Sequence, residues 1–412
     1  MSKDSDEQTS WQQNLRAIWF TELVAIIGFA VILPLLPLYV KDLGVEGERQ
    51  ARIWSGLIYS AHSVTMAIFG PIWGALSDRY GRKVMVERAM FGGAVMMTLM
   101  GMAQSPVQLV ILRAIQGALT GTVTAATTLV ATTAPEERTG YALGTLQMAI
   151  YVGASVGPLV GGVVADTFGY RAAFFLTAGL LLTAGLAVLF FVKEPPRPQN
   201  RANDPTPGDG VKRTLRQRIW GHLSPALASG PVVSVLAVRL LMNLGGRLPR
   251  PTLPLFVEAI SSPGTRVATI TGVITGAGAV GGAIGGRELG KLSDRIGYRS
   301  ILITSALVSI LCYVGQSLVE RSLWMIPLQA GIGLAMGGIL ASIRALLAEL
   351  APQGREGIVY GVESSVTSVA NAIGPMTGSA LAAALGLRAP FVAAAFVFAV
   401  AMFATFRLVP KK

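Results

Sequence analysis

The 412-residue sequence predicts an all-α integral membrane protein, with twelve transmembrane helices in two pseudo-symmetric six-helix bundles. Three observations predict it. Hydrophobic residues make up 52% of the chain and charged residues 14%, against about 25% charged in a soluble domain. Glycine is abundant, at 48 residues, and small residues let helix backbones approach closely in lipid. One polar, Pro-rich stretch divides the chain into halves that repeat each other.

The apolar runs place spans near 17–40, 53–75, 84–103, 107–131, 140–163, 172–192, 231–256, 268–289, 301–319, 323–347, 357–382 and 389–408. The chain is polar up to Asn14, and Pro34 and Pro37 close the first run. No small-residue cleavage pattern follows that run, so span 1 is expected to be an uncleaved helix and not a signal peptide. Cys312 is the only cysteine, which excludes an internal disulfide.

The net charge is +12. Most Lys and Arg outside the spans fall in segments that share one side if the N-terminus is cytoplasmic. That is the positive-inside pattern of a multi-pass protein of the cell membrane with both termini cytoplasmic. It accounts for the basic balance with membrane lipid as the partner and no nucleic acid.

Residues 193–229 begin KEPPRPQNRANDPTPGDG, a Pro-rich polar linker, and continue VKRTLRQRIW, a basic stretch suited to the cytoplasmic surface. They separate residues 1–192 from 230–412, six spans on each side. The halves match at a near-constant offset. Gly74-Ala-Leu-Ser-Asp-Arg-Tyr-Gly returns as Gly290-Lys-Leu-Ser-Asp-Arg-Ile-Gly at 216. Pro34, Pro37, Pro135, Gly157, Pro158, Arg171 and Phe174 return as Pro251, Pro254, Pro352, Gly374, Pro375, Arg388 and Phe391 at 217. An even number of spans per half makes these parallel repeats about an axis along the membrane normal, with a cavity between the bundles.

These residues carry a family resemblance. Gly74-Ala-Leu-Ser-Asp-Arg-Tyr-Gly-Arg-Lys83 resembles the loop motif between helices 2 and 3 of the major facilitator superfamily. Arg113 in LVILRAIQGALTG resembles its span 4 arginine motif. Gly153-Ala-Ser-Val-Gly-Pro-Leu-Val-Gly-Gly162, with WFTELVAIIGFAVILPLLPLYV in span 1, resembles its twelve-span drug:proton antiporters. The resemblance covers essentially the whole chain.

The motifs also have physical readings. Gly74 and Gly81 suit a tight turn after span 2. Asp78 would sit at the cytoplasmic end of span 2, near the positive N-terminal end of span 11, as a latch. Arg79, Arg82 and Lys83 add positive-inside charge, and Asp294 is the repeat mate of Asp78. Gly153, Gly157 and Gly161 form a smooth stripe on span 5, with Gly162 beside it. Pro158 interrupts the hydrogen-bond ladder near the outer end. In the second half Ser379 stands where the first has Gly162. Span 8 contains Gly276-Ala-Gly278-Ala-Val-Gly281, a G-x-G-x-x-G match without the preceding strand that nucleotide binding needs, so close helix packing is expected there.

Ionisable residues inside spans are the sharpest candidates, because lipid burial of charge is costly. The acids placed well inside a span are Glu22 and Glu363; the candidate bases are Arg113, Arg239 and Arg344, with Arg247 and Arg250 nearer the outer end of span 7. Glu22 and Arg239 are equivalent positions and are expected to oppose each other across the cavity. Arg344 is a neutralising partner for Glu363. His62 is expected to be a packed neutral side chain.

The resemblance implies a monomeric, proton-driven exporter of small lipophilic and cationic compounds working by alternating access. Glu22 would bind the proton or the cation, Arg113 would tune it, and Arg239 would be its alternating partner. A symporter or uniporter for a small metabolite is the competing transport reading. A membrane receptor or membrane-embedded enzyme is disfavoured, because no His, Asp or Cys cluster has metal spacing and no large soluble domain is present. No cofactor is implied.

Overall fold

The computed structural model describes residues 2–135, 138–192, 230–351 and 356–409, without the side chains of residues 2–10, 75, 78, 79, 122, 124 and 356–358. The expected linker, with its basic stretch, lies outside the described residues.

Twelve helical passes follow the expected order. Span 1 is Ser2–Ile32, continued by a 3-10 turn and Leu36–Asp42. Span 2 is Glu48–Tyr80 and span 3 is Arg82–Gly101. Span 4 is split into Pro106–Leu119 and Thr122–Thr133. Spans 5 and 6 are Thr139–Phe168 and Tyr170–Phe191. Span 7 is split into Gly230–Arg247 and Leu253–Ala259. Spans 8 to 12 are Val267–Ile296, Tyr298–Leu318, Met325–Leu350, Glu356–Leu385 and Ala389–Leu408.

Spans 4 and 7 were expected to be continuous and are not. Gly121, at φ 140°, interrupts span 4. Pro249 and Pro251 bracket the break in span 7, where neither can donate a backbone hydrogen bond. Among the described residues, eight helices are long and apolar enough to cross a membrane by composition alone; spans 2, 4, 7 and 11 fall short. Broken backbone at membrane depth is tolerated where it is covered by protein or faces water, which places the interrupted spans 4 and 7 towards the interior.

The repeat is visible in the packing. Span 1 packs on spans 5 and 6, span 3 on span 6, and span 2 on span 4. The mates do the same: span 7 on 11 and 12, span 9 on 12, span 8 on 10. Tyr39 and Phe174 meet at 4.8 Å between ring centroids, and their repeat mates Phe256 and Phe391 meet at 5.0 Å. Gly81 and Gly297 turn the chain between spans at φ 104° and 88°, a conformation that side chains with a Cβ resist. One hydrophobic core is built from residues 11–192 with only Leu255 and Ala268 from the far half, and a second lies within 232–409.

Among the described residues, the two most extensive contacts between the halves are span 5 with span 8 and span 2 with span 11, again symmetry mates, and the end of span 1 also touches spans 7 and 8. They are tightest at one end. A Cβ on Gly162 would stand 2.3 Å from the Ala268 carbonyl oxygen, and one on Gly272 would stand 2.2 Å from that of Pro158. A Cβ on Gly56 would fall 2.6 Å from that of Ser379. Further along, Tyr151 Oη is a looser 3.6 Å from the corresponding point on Gly286. At the opposite end, a Cβ on Gly70, Gly74, Gly140, Gly144 or Gly361 would meet nothing within 4 Å among the described residues. The bundle is closed at the end where spans 1 and 7 finish and open at the other.

Candidate functional site

Glu22 sits on span 1 with no exposed surface, and neither carboxylate oxygen has a hydrogen-bond partner. Burying an ionised carboxylate without a donor costs several kcal/mol, so this position calls for a proton or a cation.

Arg239 does not face Glu22, contrary to the expectation from the repeat. Its Nε donates to Glu363 Oε1 at 2.8 Å, and both side chains are buried. Thr367 Oγ1 adds a weaker contact to the same oxygen at 3.4 Å. The pair joins spans 7 and 11 within one half. Arg344 is therefore not the partner of Glu363; its side chain is exposed. The reason is geometric: spans 7 and 11 pack face to face, and a guanidinium on one reaches the carboxylate on the other.

Arg113 is buried on span 4 and its Nη1 donates to Gln116 Oε1 at 2.6 Å, one helical turn away, so it does not bond to Glu22. Arg113 and Arg250 both lie in electrostatic range of Tyr59, whose hydroxyl donates to the Leu33 carbonyl. Arg247 neighbours Arg250 and Arg239. Tyr59 of span 2 thus stands within electrostatic range of one guanidinium group from span 4 and one from span 7. His62 offers its backbone carbonyl to the close approach of Gly117, and its Nδ1 has no partner.

The span 5 glycines divide their work between two neighbours. A Cβ on Gly153, Gly157 or Gly161 would come within 2.8, 2.6 and 2.3 Å of span 1 at Ile26, Ala30 and Val31. Gly162 and Pro158 instead face span 8. Span 5 runs as one helix through Pro158. Ser379, the mate of Gly162, has room because the residue opposite it is Gly56. In span 8, Gly278 and Gly281 receive Gln329 and Ala330 of span 10, so the G-x-G-x-x-G match is a helix-packing surface.

In the loop motif, Gly81 provides the turn, whereas Gly74 lies inside the span 2 helix and needs no special backbone geometry. The Asp78 and Arg79 side chains lie outside the described residues, so the latch contact is not described. Asp294 is exposed, 3.4 Å from Tyr298 Oη.

The sequence profile of the Major Facilitator Superfamily matches residues 18–288 and 235–412, nearly the whole chain. The chain belongs to the Major Facilitator Superfamily. Its relatives include the multidrug resistance protein MdtG of Citrobacter koseri, 35% identical over 393 residues, covering 95% of this chain and 94% of that one. MdtG of Enterobacter lignolyticus is 36% identical over 395 residues, covering 95% and 91%. Among solved structures, a point mutant of the nucleoside transporter NupG superposes with a TM-score of 0.78 at 11% identity, covering 96% of this chain and all of that one. A bacterial homologue of the lysosomal transporter Spinster, inward-facing and occupied, gives 0.77 at 17% identity, covering 95% of each. At these identities the structural likeness speaks for the superfamily fold alone.

Within this superfamily fold, the sequence reading missed the polar groups that join the halves at the closed end: Lys41, Arg52, Asp166 and Glu258. One signal was available. Lys41 and Glu258 are 217 residues apart, so equivalent positions carry opposite charges.

Proposed function

We propose that the chain is a secondary active exporter of small lipophilic compounds, cations among them, driven by protons moving inward in exchange. The observation that carries this reading is Glu22, a fully buried acid with no partner. A proton and a substrate cation would each satisfy it, and the two exclude each other. An acid whose proton affinity differs between two states of the cavity meets the minimum requirement for exchange. Relatives named multidrug resistance proteins support the same reading.

Glu363 is the second acid, held by Arg239 in this state and available if spans 7 and 11 shift. Positive-inside charge supports a cell-membrane protein with both termini in the cytoplasm. The closed end then faces outwards and the cavity opens inwards, ready to load an exported compound. A monomer suffices, because one chain supplies both bundles.

The group of Arg113, Arg247 and Arg250 favours a second reading, in which the substrate carries an anionic group. One experiment separates them: uptake of cationic, neutral and anionic compounds into inverted vesicles, with and without collapse of the pH gradient. The exporter reading expects gradient-dependent accumulation, and accumulation that survives collapse would overturn proton drive. Preference for the anionic compounds would select the second reading. Tags at residue 2, in 193–229 and after Lys412 should all be shielded in intact cells.

A further inference from the structure

The contacts that close the outer end are themselves related by the repeat. On the axis between the halves, Lys41 Nζ meets Glu258 Oε2 at 2.6 Å. To one side, the carboxylate of Asp166, at the end of span 5, accepts three bonds from the start of span 8. These come from Thr269 Oγ1 at 2.6 Å, Thr269 N at 2.7 Å and Ala268 N at 3.3 Å. To the other side, Arg52 Nη1, at the start of span 2, donates to the Ala382 carbonyl at the end of span 11 at 3.0 Å. Position 269 is the repeat mate of position 52, and 382 is the mate of 165. The same helix-to-helix contact is made twice with the charge reversed. An anion meets a helix N-terminus in one, and a cation meets a C-terminus in the other, each sign favoured by the helix dipole.

We propose that Asp166 is the gating residue of the outer end: it caps span 8 from the opposite half, and transport requires that cap to be released. Span 8 has no cap of its own, because Arg266 at its N-cap position makes no side-chain bond to the helix. The first backbone donors of a helix need a partner. Here the partner arrives only when the halves are closed, so capping energy becomes closing energy. The Lys41–Glu258 pair, about a third exposed on each side, contributes less by itself, since exposed ion pairs are weak. A hollow of about 240 Å³ lined by Lys41, Glu48, Arg52, Leu255 and Glu258 adjoins this layer.

The proposal rests on alternating access, but its test needs neither substrate nor gradient. In a Cys312→Ser background, Ser379→Cys places a thiol in the closed interface, where the native side chain is 1% exposed. Ser305→Cys, 2% exposed within the second half, is the control. Intact cells are treated with a membrane-impermeant maleimide. Asp166→Asn keeps the size but removes the charge, and it should raise the labelling rate at position 379 about three- to ten-fold, the worth of a charge–dipole contact. Thr269→Val should give a smaller rise. Lys41→Glu and Glu258→Lys should each raise labelling, and the two together should restore it, because equivalent positions exchange charges. Labelling at 305 should stay unchanged throughout. An unchanged rate at 379 in Asp166→Asn overturns the proposal. So does an equal rise at 305, which would mean that the carboxylate holds the fold and not the gate. If labelling at 379 responds while vesicle accumulation ignores the pH gradient, the gate stands and proton drive falls.

Discussion

Lys41 and Glu258 occupy the same position in the two halves, 217 residues apart, and their charged groups meet at 2.6 Å. Two residues related by a two-fold axis can touch only if they lie beside it. This pair therefore marks where the pseudo-axis leaves the closed end, and it tells which groups have to part when that end opens.

Glu22→Gln preserves shape and removes the ionisable proton. It is expected to abolish gradient-driven export of cationic compounds and to spare binding of some neutral ones. Proton release on substrate addition, followed with a pH dye on detergent-solubilised protein, should disappear. Undiminished release together with cation export would move the role to Glu363.

The Arg239–Glu363 pair should be unequal to the sum of its parts. Removing one member leaves a buried charge without a partner and should cost about 3–5 kcal/mol, whereas removing both charges should cost far less. Thermal unfolding in detergent should therefore rank Arg239→Met below the double variant Arg239→Met with Glu363→Gln. A double variant less stable than either single one would contradict the isolated-pair picture.

Glycine substitutions should divide by place. Gly272→Ala puts a methyl group 2.2 Å from the Pro158 carbonyl oxygen and forces spans 5 and 8 apart, so transport should fall sharply. Gly144→Ala meets nothing within 4 Å in the open end and should change stability by no more than about 1 kcal/mol. Vesicle transport alongside melting curves separates the two. Equal losses would remove the distinction between a packed and an open end.

Asp78→Asn tests the latch expected at the opposite end, where Gly70, Gly74 and Gly361 have no close neighbours among the described residues. If Asp78 docks on the span 11 N-terminus when that end shuts, losing the charge removes about 0.3–1 kcal/mol from the shut state. Cysteine probes facing the cytoplasm should then label up to about five-fold faster, with expression nearly intact. Asp294→Asn should do less, because Tyr298 and Arg299 stand where the first half has Arg82 and Lys83. Identical labelling in Asp78→Asn and the parent would exclude the latch.

Much of the architecture was legible in the chain itself. Hydropathy placed twelve spans, because lipid demands long apolar helices. The constant offset revealed two parallel halves, because duplicated helices keep their turn and proline positions. The glycine runs of spans 5 and 8 read correctly as packing surfaces. The breaks in spans 4 and 7 were not read, because a helix interruption facing the interior leaves little mark on average hydropathy.

What the sequence determined was equivalence: Glu22 with Arg239, Lys41 with Glu258, Gly162 with Ser379. What only the tertiary structure decided was which equivalent residues meet. Lys41 and Glu258 do, because they stand beside the axis. Glu22 and Arg239 do not, because Arg239 turns along its own half towards Glu363, leaving Glu22 buried and unpartnered. The offset conveys position along the membrane normal, but the direction a side chain points around its helix depends on the neighbours packed against it. Those neighbours come from distant parts of the chain.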